Sequence, residues 1–123
     1  MPFFLNNNKY DSMSKTKSLE ERLSESNKVI IKYPERIPVI VEPLTNDIID
    51  IDKKKFIVSK EMTFGQLIYI IRKRIAVDSS VALFFSVNGT LCTTSSDIAS
   101  IYEEKKNEDN FLYIKYTTEN TFG

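Results

Sequence analysis

The order of strand-like and helix-like patterns along this chain is the feature that most constrains its fold. Residues 36–42 and 53–59 are short apolar runs with β-branched residues, which favour strands. A polar segment separates them, so a hairpin with a long loop is expected. Residues 82–87 form a third run, and Asn88-Gly89 directly after it is a strong signal for a tight hairpin turn.

Helical patterns lie between and before these strands. Ser18 with Glu21, and Thr63 with Gln66, match the capping box, in which two side chains satisfy the first free amides of a helix. A first helix is therefore expected from Ser18 up to Pro34, which cannot continue it. After Thr63, apolar residues recur at helical spacing at Leu67, Ile68, Ile71 and Ile75.

The end of the chain completes the pattern. A short helix is expected near residues 97–105, and residues 111–116 read as the last strand. Without the first helix, the order β, β, α, β, β, short α, β is that of a β-grasp domain, an α+β fold whose sheet wraps one helix. We predict a mobile extension over residues 1–17, a domain over 18–116 and a flexible tail over 117–123.

Composition narrows the possible chemistry. Lys plus Arg and Asp plus Glu each total 17, which argues against nucleic acid as the main ligand. The chain has no histidine and one cysteine, Cys92, so Cys-His and Ser-His catalysis and the usual zinc sites are excluded. We expect no enzyme activity, no metal and no cofactor. A lone cysteine fits a reducing compartment, and no apolar run is long enough to span a membrane.

Gly123 follows a short polar segment after the last strand pattern. Glycine has no Cβ and passes through narrow spaces. Its carboxylate suits a terminus that enters an enzyme's cleft and is joined to an amine, which is the chemistry of ubiquitin-like modifiers.

Several separated blocks in the chain resemble the autophagy-related protein 8 family, which includes GABARAP and the microtubule-associated light chains. The blocks are residues 33–40, 51–58, 65–66, 71–75, 111–113 and 119–123. The resemblance runs from about Ser18 to Gly123. It implies a ubiquitin-like β-grasp core with added N-terminal helices.

The resemblance also implies a function. The modifier would be joined through Gly123 to the amine of phosphatidylethanolamine by activating and conjugating enzymes, and a cysteine protease would process or delipidate it. The protein would be cytoplasmic, and on the autophagosome membrane when lipidated, with delivery to the vacuole or lysosome. Membrane contact would come through the conjugated lipid.

A second implied function is the binding of receptor peptides that carry an aromatic residue and, three positions on, an aliphatic one. By the family pattern, the aromatic pocket comprises Glu25, Val29, Pro38, Ile40, Lys55, Ile57 and Phe111. The aliphatic pocket comprises Phe56, Val58, Met62, Leu67, Ile70 and Arg74. From spacing alone, Ile40 and Leu67 would be ordinary core residues, and Lys55 and Arg74 would lie on a solvated face.

The residues themselves add a physical reason for this site. Lys53–Ser59 begins with three lysines, a common protection of an exposed sheet edge. Such an edge can accept a peptide as an added strand. Strand alternation places Lys55 and Ile57 on one face and Phe56 and Val58 on the other.

Other functions remain open from the sequence. An unlipidated trafficking or cytoskeletal adaptor would have no need of Gly123, whereas a modifier attached to proteins would use it. A lipid-bound form could also act on another organelle membrane. In the N-terminal extension, the apolar cluster of Phe3, Phe4 and Leu5 is expected either to touch membrane or other copies of the protein, or to pack loosely on the domain.

Overall fold

The fold follows the predicted order of helices and strands. The computed structural model describes residues 16–45, 48 and 51–118, and the helices and strands below lie within them. In chain order they are α1 (Leu19–Lys32), β1 (Arg36–Pro43), β2 (Lys55–Ser59), α2 (Phe64–Arg72), β3 (Phe84–Val87), β4 (Thr90–Leu91), α3 (Ile98–Lys105) and β5 (Leu112–Thr117).

Both predicted capping boxes are present. The Ser18 hydroxyl accepts from the Glu21 amide at 3.1 Å, and the Glu21 carboxylate accepts from the Ser18 amide at 2.9 Å. Thr63 and Gln66 repeat this arrangement at the start of α2. These bonds satisfy amides that have no partner inside the helix, which fixes where each helix begins.

The helix and strand ends differ from the prediction by one or two residues. β2 begins at Lys55, although the Val41 amide still donates to the Lys54 carbonyl at 2.8 Å. β5 runs from Leu112 to Thr117, one residue later at each end than the predicted strand. α2 ends at Arg72, so the last residue of the predicted apolar pattern, Ile75, lies beyond the helix. Arg74 follows the helix, where its amide bonds the carbonyl of Ile71 in a tighter turn.

The strands form one mixed sheet in the order β2-β1-β5-β3-β4. β1 is antiparallel to β2, with Pro38 opposite Ile57, and parallel to β5, with Ile40 opposite Tyr113. β3 is antiparallel to both β5 and β4. The β2 strand therefore lies at one edge of the sheet, as its lysines indicated.

Apolar residues cover the two faces of the sheet unequally. The main core lies between one face and the helices α2 and α3, and includes Ile37, Val39, Val41, Phe56, Val58, Phe64, Leu67, Ile71, Ile98, Leu112 and Ile114. A smaller cluster of Ile40, Phe111 and Tyr113 lies on the opposite face. The added helix α1 lies on that side, against β1. The fold is a ubiquitin-like β-grasp with one added N-terminal helix in the described part of the chain.

The predicted Asn-Gly turn joins β3 to β4. Asn88 and Gly89 have φ angles of 52° and 77°, in the left-handed region. A Cβ on Gly89 would meet no atom within 4 Å, so backbone conformation alone opposes a side chain there. We therefore expect Gly89→Ala to lower the free energy of unfolding by about 1–2 kcal/mol, measured by denaturant titration. Gly89→Asn should recover much of the loss, because asparagine tolerates this region. Equal stability of all three proteins would contradict the assignment.

Candidate functional site

The exposed edge of β2 presents two different surfaces. Along the strand, Lys55 and Ile57 are exposed while Phe56 and Val58 are buried, as alternation predicts. Ile57 keeps 42% of its surface exposed, which is unusual for a large aliphatic residue in a strand. Within the described residues, β2 pairs with β1 and with no other strand, so its other side can accept an additional strand. On β2, the Ile57 carbonyl already accepts a hydrogen bond from Arg36 Nη1 at 3.4 Å, which an added strand would have to displace or accommodate.

The predicted aromatic-pocket residues come together on the α1 side of the sheet. Ile40 and Phe111 are buried in the smaller cluster. Pro38 and Ile40 lie opposite Ile57 and Lys55 in the β1–β2 register, so these four side chains share a face. Glu25 on α1 forms an ion pair with Lys55 across this surface.

Val29 lies one turn after Glu25 on the same side of α1 and is half-buried. The site thus has a floor of buried apolar residues, a rim of exposed residues from β2, and a wall formed by α1.

Charge at the rim is already paired within the chain. The Glu25 carboxylate accepts hydrogen bonds from the ammonium groups of Lys17 and Lys55. Burial by itself would raise the pKa of Glu25, but these hydrogen bonds outweigh it and lower the pKa. Glu25 therefore stays ionised at neutral pH, and its link to β2 is lost only as pH falls through that lowered pKa. Since Lys55 is half-exposed, this pair contributes little to stability.

The predicted aliphatic pocket is divided between core and surface. Phe56, Val58 and Leu67 are 8%, 6% and 0% exposed and belong to the main core. Met62 and Ile70 reach the surface, where Ile70 is 40% exposed. Leu67 is therefore buried in the core, as its spacing alone predicts, and its place in the aliphatic pocket stays a prediction.

Arg74 also lies at the surface, at the start of the connection that follows α2. Its Nε donates to the Asp52 carboxylate at 3.2 Å, and both side chains are substantially exposed. Like Lys55, Arg74 has a carboxylate partner within the chain.

An open depression of about 850 Å³ lies between the end of β2 and the outer side of α2. Two predicted residues, Met62 and Ile70, line it together with Gln66 and Tyr69, which lie outside both predicted pockets. Tyr69 is 64% exposed, and the Lys73 ammonium lies 4.3 Å from its ring centroid. In the sequence, Tyr69 falls on the polar side of the α2 pattern, and an exposed aromatic residue at such a position can indicate a binding surface.

The remaining predictions from the sequence concern residues away from the β2 edge. Cys92 packs against the main core, and burial raises the pKa of its thiol, so it is not an activated nucleophile.

Within residues 16–45, 48 and 51–118, no group of three His, Cys, Asp or Glu side chains could hold a metal ion. No helix in that part is long and apolar enough to cross a bilayer. Gly123 and the cluster of Phe3, Phe4 and Leu5 lie outside the described residues.

Comparisons with known proteins agree with this architecture. Autophagy-related protein 8b of Arabidopsis thaliana is 47% identical over 114 residues, covering 92% of this chain and 93% of the relative. Autophagy-related protein 8a of the same plant is 51% identical over 106 residues, covering 85% and 87%.

Solved structures give the same result. The crystal structure of Trypanosoma brucei ATG8 matches with a TM-score of 0.81 at 40% identity, covering 92% of this chain and 99% of that one. Plasmodium falciparum Atg8, solved in complex with a Plasmodium falciparum Atg3 peptide, matches with a TM-score of 0.80 at 32% identity, covering 89% and 97%. The family model described as autophagy protein Atg8, ubiquitin-like, matches residues 21–123. This chain therefore belongs to the Atg8 family of ubiquitin-like autophagy proteins.

Proposed function

We propose that this protein is a lipid-conjugated modifier of autophagy, joined through Gly123 to the amine of phosphatidylethanolamine, that recruits receptors through the β2 edge. Membership of the Atg8 family supports the conjugation. The observation that carries the receptor function is the β2 edge itself, which has different apolar surfaces on its two faces.

In this proposal the chain supplies one reacting group, the carboxylate of Gly123. An activating enzyme adenylates it with ATP and releases pyrophosphate. A partner's thiolate then displaces AMP to form a thioester, which passes to the conjugating enzyme. The lipid amine attacks that thioester, an amide forms and the thiol leaves. The Atg3 peptide bound by the Plasmodium relative supports a conjugating-enzyme partner.

The geometry of the edge suits a peptide with aromatic-x-x-aliphatic spacing. In an extended strand, residues three positions apart point to opposite faces. A peptide added to β2 would therefore direct its aromatic residue toward the α1 side and its aliphatic residue toward Met62 and Ile70. Lys55 and Arg74 would attract acidic residues in the peptide, although each must first leave its own carboxylate.

We expect Ile57→Ala to weaken binding of such a peptide by about 1–3 kcal/mol, because the exposed side chain would lose its apolar contact with the ligand. Since Ile57 is 42% exposed in the free protein, the fold should remain intact. The measurement is a calorimetric titration, with backbone amide shifts followed by NMR.

Leu91→Ala is the matched control, because Leu91 is 44% exposed on β4 at the opposite edge of the sheet. It should leave the peptide affinity unchanged. Amide shifts that miss residues 53–59 would show that the peptide binds elsewhere.

A further inference from the structure

A buried carboxylate links α1 to the sheet behind the candidate aromatic pocket. The Asp109 side chain is fully buried, and it accepts from Arg22 Nη1 at 2.8 Å and from the Tyr113 hydroxyl at 2.5 Å. Its other oxygen accepts from the Phe111 amide at 3.0 Å. A buried carboxylate needs such partners, and a movement that removes one of them leaves the charge poorly compensated.

The backbone next to this carboxylate holds α1 at a second point. The Ser26 hydroxyl, fully buried, donates to the Asp109 carbonyl at 2.6 Å. Arg22 and Ser26 are four residues apart and so lie on one side of α1. Asn110, directly after Asp109, has a φ of 66° and turns the chain into β5. Two bonds one helical turn apart fix both the position of α1 and its rotation about its axis.

The groups joined by Asp109 are the wall and the floor of the candidate pocket. α1 carries Glu25 and Val29 as well as the two residues that bond Asp109. The Tyr113 ring packs edge-on against Phe111, with centroids 6.3 Å apart and an interplanar angle of 74°. Phe111 and Ile40 form the buried floor. Asp109 is thus connected to both sides of the pocket, although it lies outside the predicted pocket residues.

We propose that Asp109 is a positioning residue that sets the distance between α1 and the sheet, and thereby the fit of a receptor peptide's aromatic side chain. This inference rests on the proposed peptide binding. Asp109, Arg22 and Ser26 would then help to select the peptide's aromatic residue through the position of α1, without touching the peptide themselves.

Asp109→Asn tests the proposal, because asparagine keeps the size of the side chain and removes the charge that faces Arg22. We expect about fivefold weaker binding of a peptide with its aromatic residue, a scale typical of coupled sites. Binding of the same peptide with alanine at that position should not change. Faster amide exchange in residues 26–32, compared with the main core, should accompany the loss. Ser26→Ala is the milder variant and should move both readouts in the same direction.

Asp97→Asn is the matched control. Asp97 also accepts a backbone hydrogen bond, from the Ser100 amide at 2.9 Å, but it caps α3. It should leave the preference for the aromatic residue unchanged.

If Asp109→Asn lowers stability while that preference and α1 exchange match the control, Asp109 has only a structural role and the proposal is wrong. If the unsubstituted protein binds no such peptide, the proposed receptor function fails. In that case, amide exchange in α1 still tests whether Asp109 positions the helix. Unchanged exchange in Asp109→Asn would show that it does not.

Discussion

Gly123→Ala is expected to abolish, or slow severely, the joining of this protein to phosphatidylethanolamine. The substitution adds one methyl group beside the reacting carboxylate. In the narrow channel of a conjugating enzyme that group would displace the carbonyl carbon from the attacking thiolate or amine, and a small displacement of reacting atoms costs a large factor in rate. The measurement is the rate of conversion to the lipidated form with purified activating and conjugating enzymes, ATP and vesicles.

Thr121→Ala is the matched control, because it is also a small change and lies two residues before Gly123. It should be conjugated at nearly the rate of the unsubstituted protein. Gly123→Ala should also keep its thermal stability and its affinity for receptor peptides, since neither depends on the terminal carboxylate. Unchanged conjugation of this variant would show that Gly123 is not the reacting residue.

Leu67→Ala is expected to lower the free energy of unfolding by about 2–5 kcal/mol, because it leaves a cavity in the main core. Leu67 is 0% exposed and belongs to the main core, against which Met62 packs. Chemical denaturation measures the change.

Ile70→Ala separates core from binding surface, because Ile70 lies three residues further along α2 and is 40% exposed. Ile70→Ala should destabilise the protein much less than Leu67→Ala does. Its main effect should be weaker binding of the receptor peptide. Equal destabilisation by both substitutions would contradict this division of the predicted aliphatic pocket.

Local chemistry explains why so much of the fold could be predicted. A capping box needs residues three positions apart, so Ser18 with Glu21 and Thr63 with Gln66 could be recognised directly. The Asn88-Gly89 turn likewise depends on two adjacent residues. The three lysines before Phe56 indicated an edge strand, and the sheet order agrees.

The remaining features depend on contacts between distant parts of the chain. Arg22 and Asp109 are 87 positions apart, and no periodicity in either segment indicates that they meet. α1 packs against β1, and the parallel pairing of β1 with β5 places the segment before β5 beside that helix. The depression beside Tyr69 depends on how α2 packs against the end of β2, which residue spacing does not specify. The complete burial of Leu67 likewise depends on how α2 packs against the sheet.

The most direct test of the lipid-modifier proposal is intact mass after incubation with activating and conjugating enzymes, ATP and phosphatidylethanolamine vesicles. The account predicts a product heavier by one phosphatidylethanolamine less one water, with fragmentation placing the lipid on Gly123. Product formation should require ATP and the lipid amine. A protein that remains unmodified while a known Atg8 relative is converted in the same reaction would contradict the proposal and favour an unlipidated adaptor.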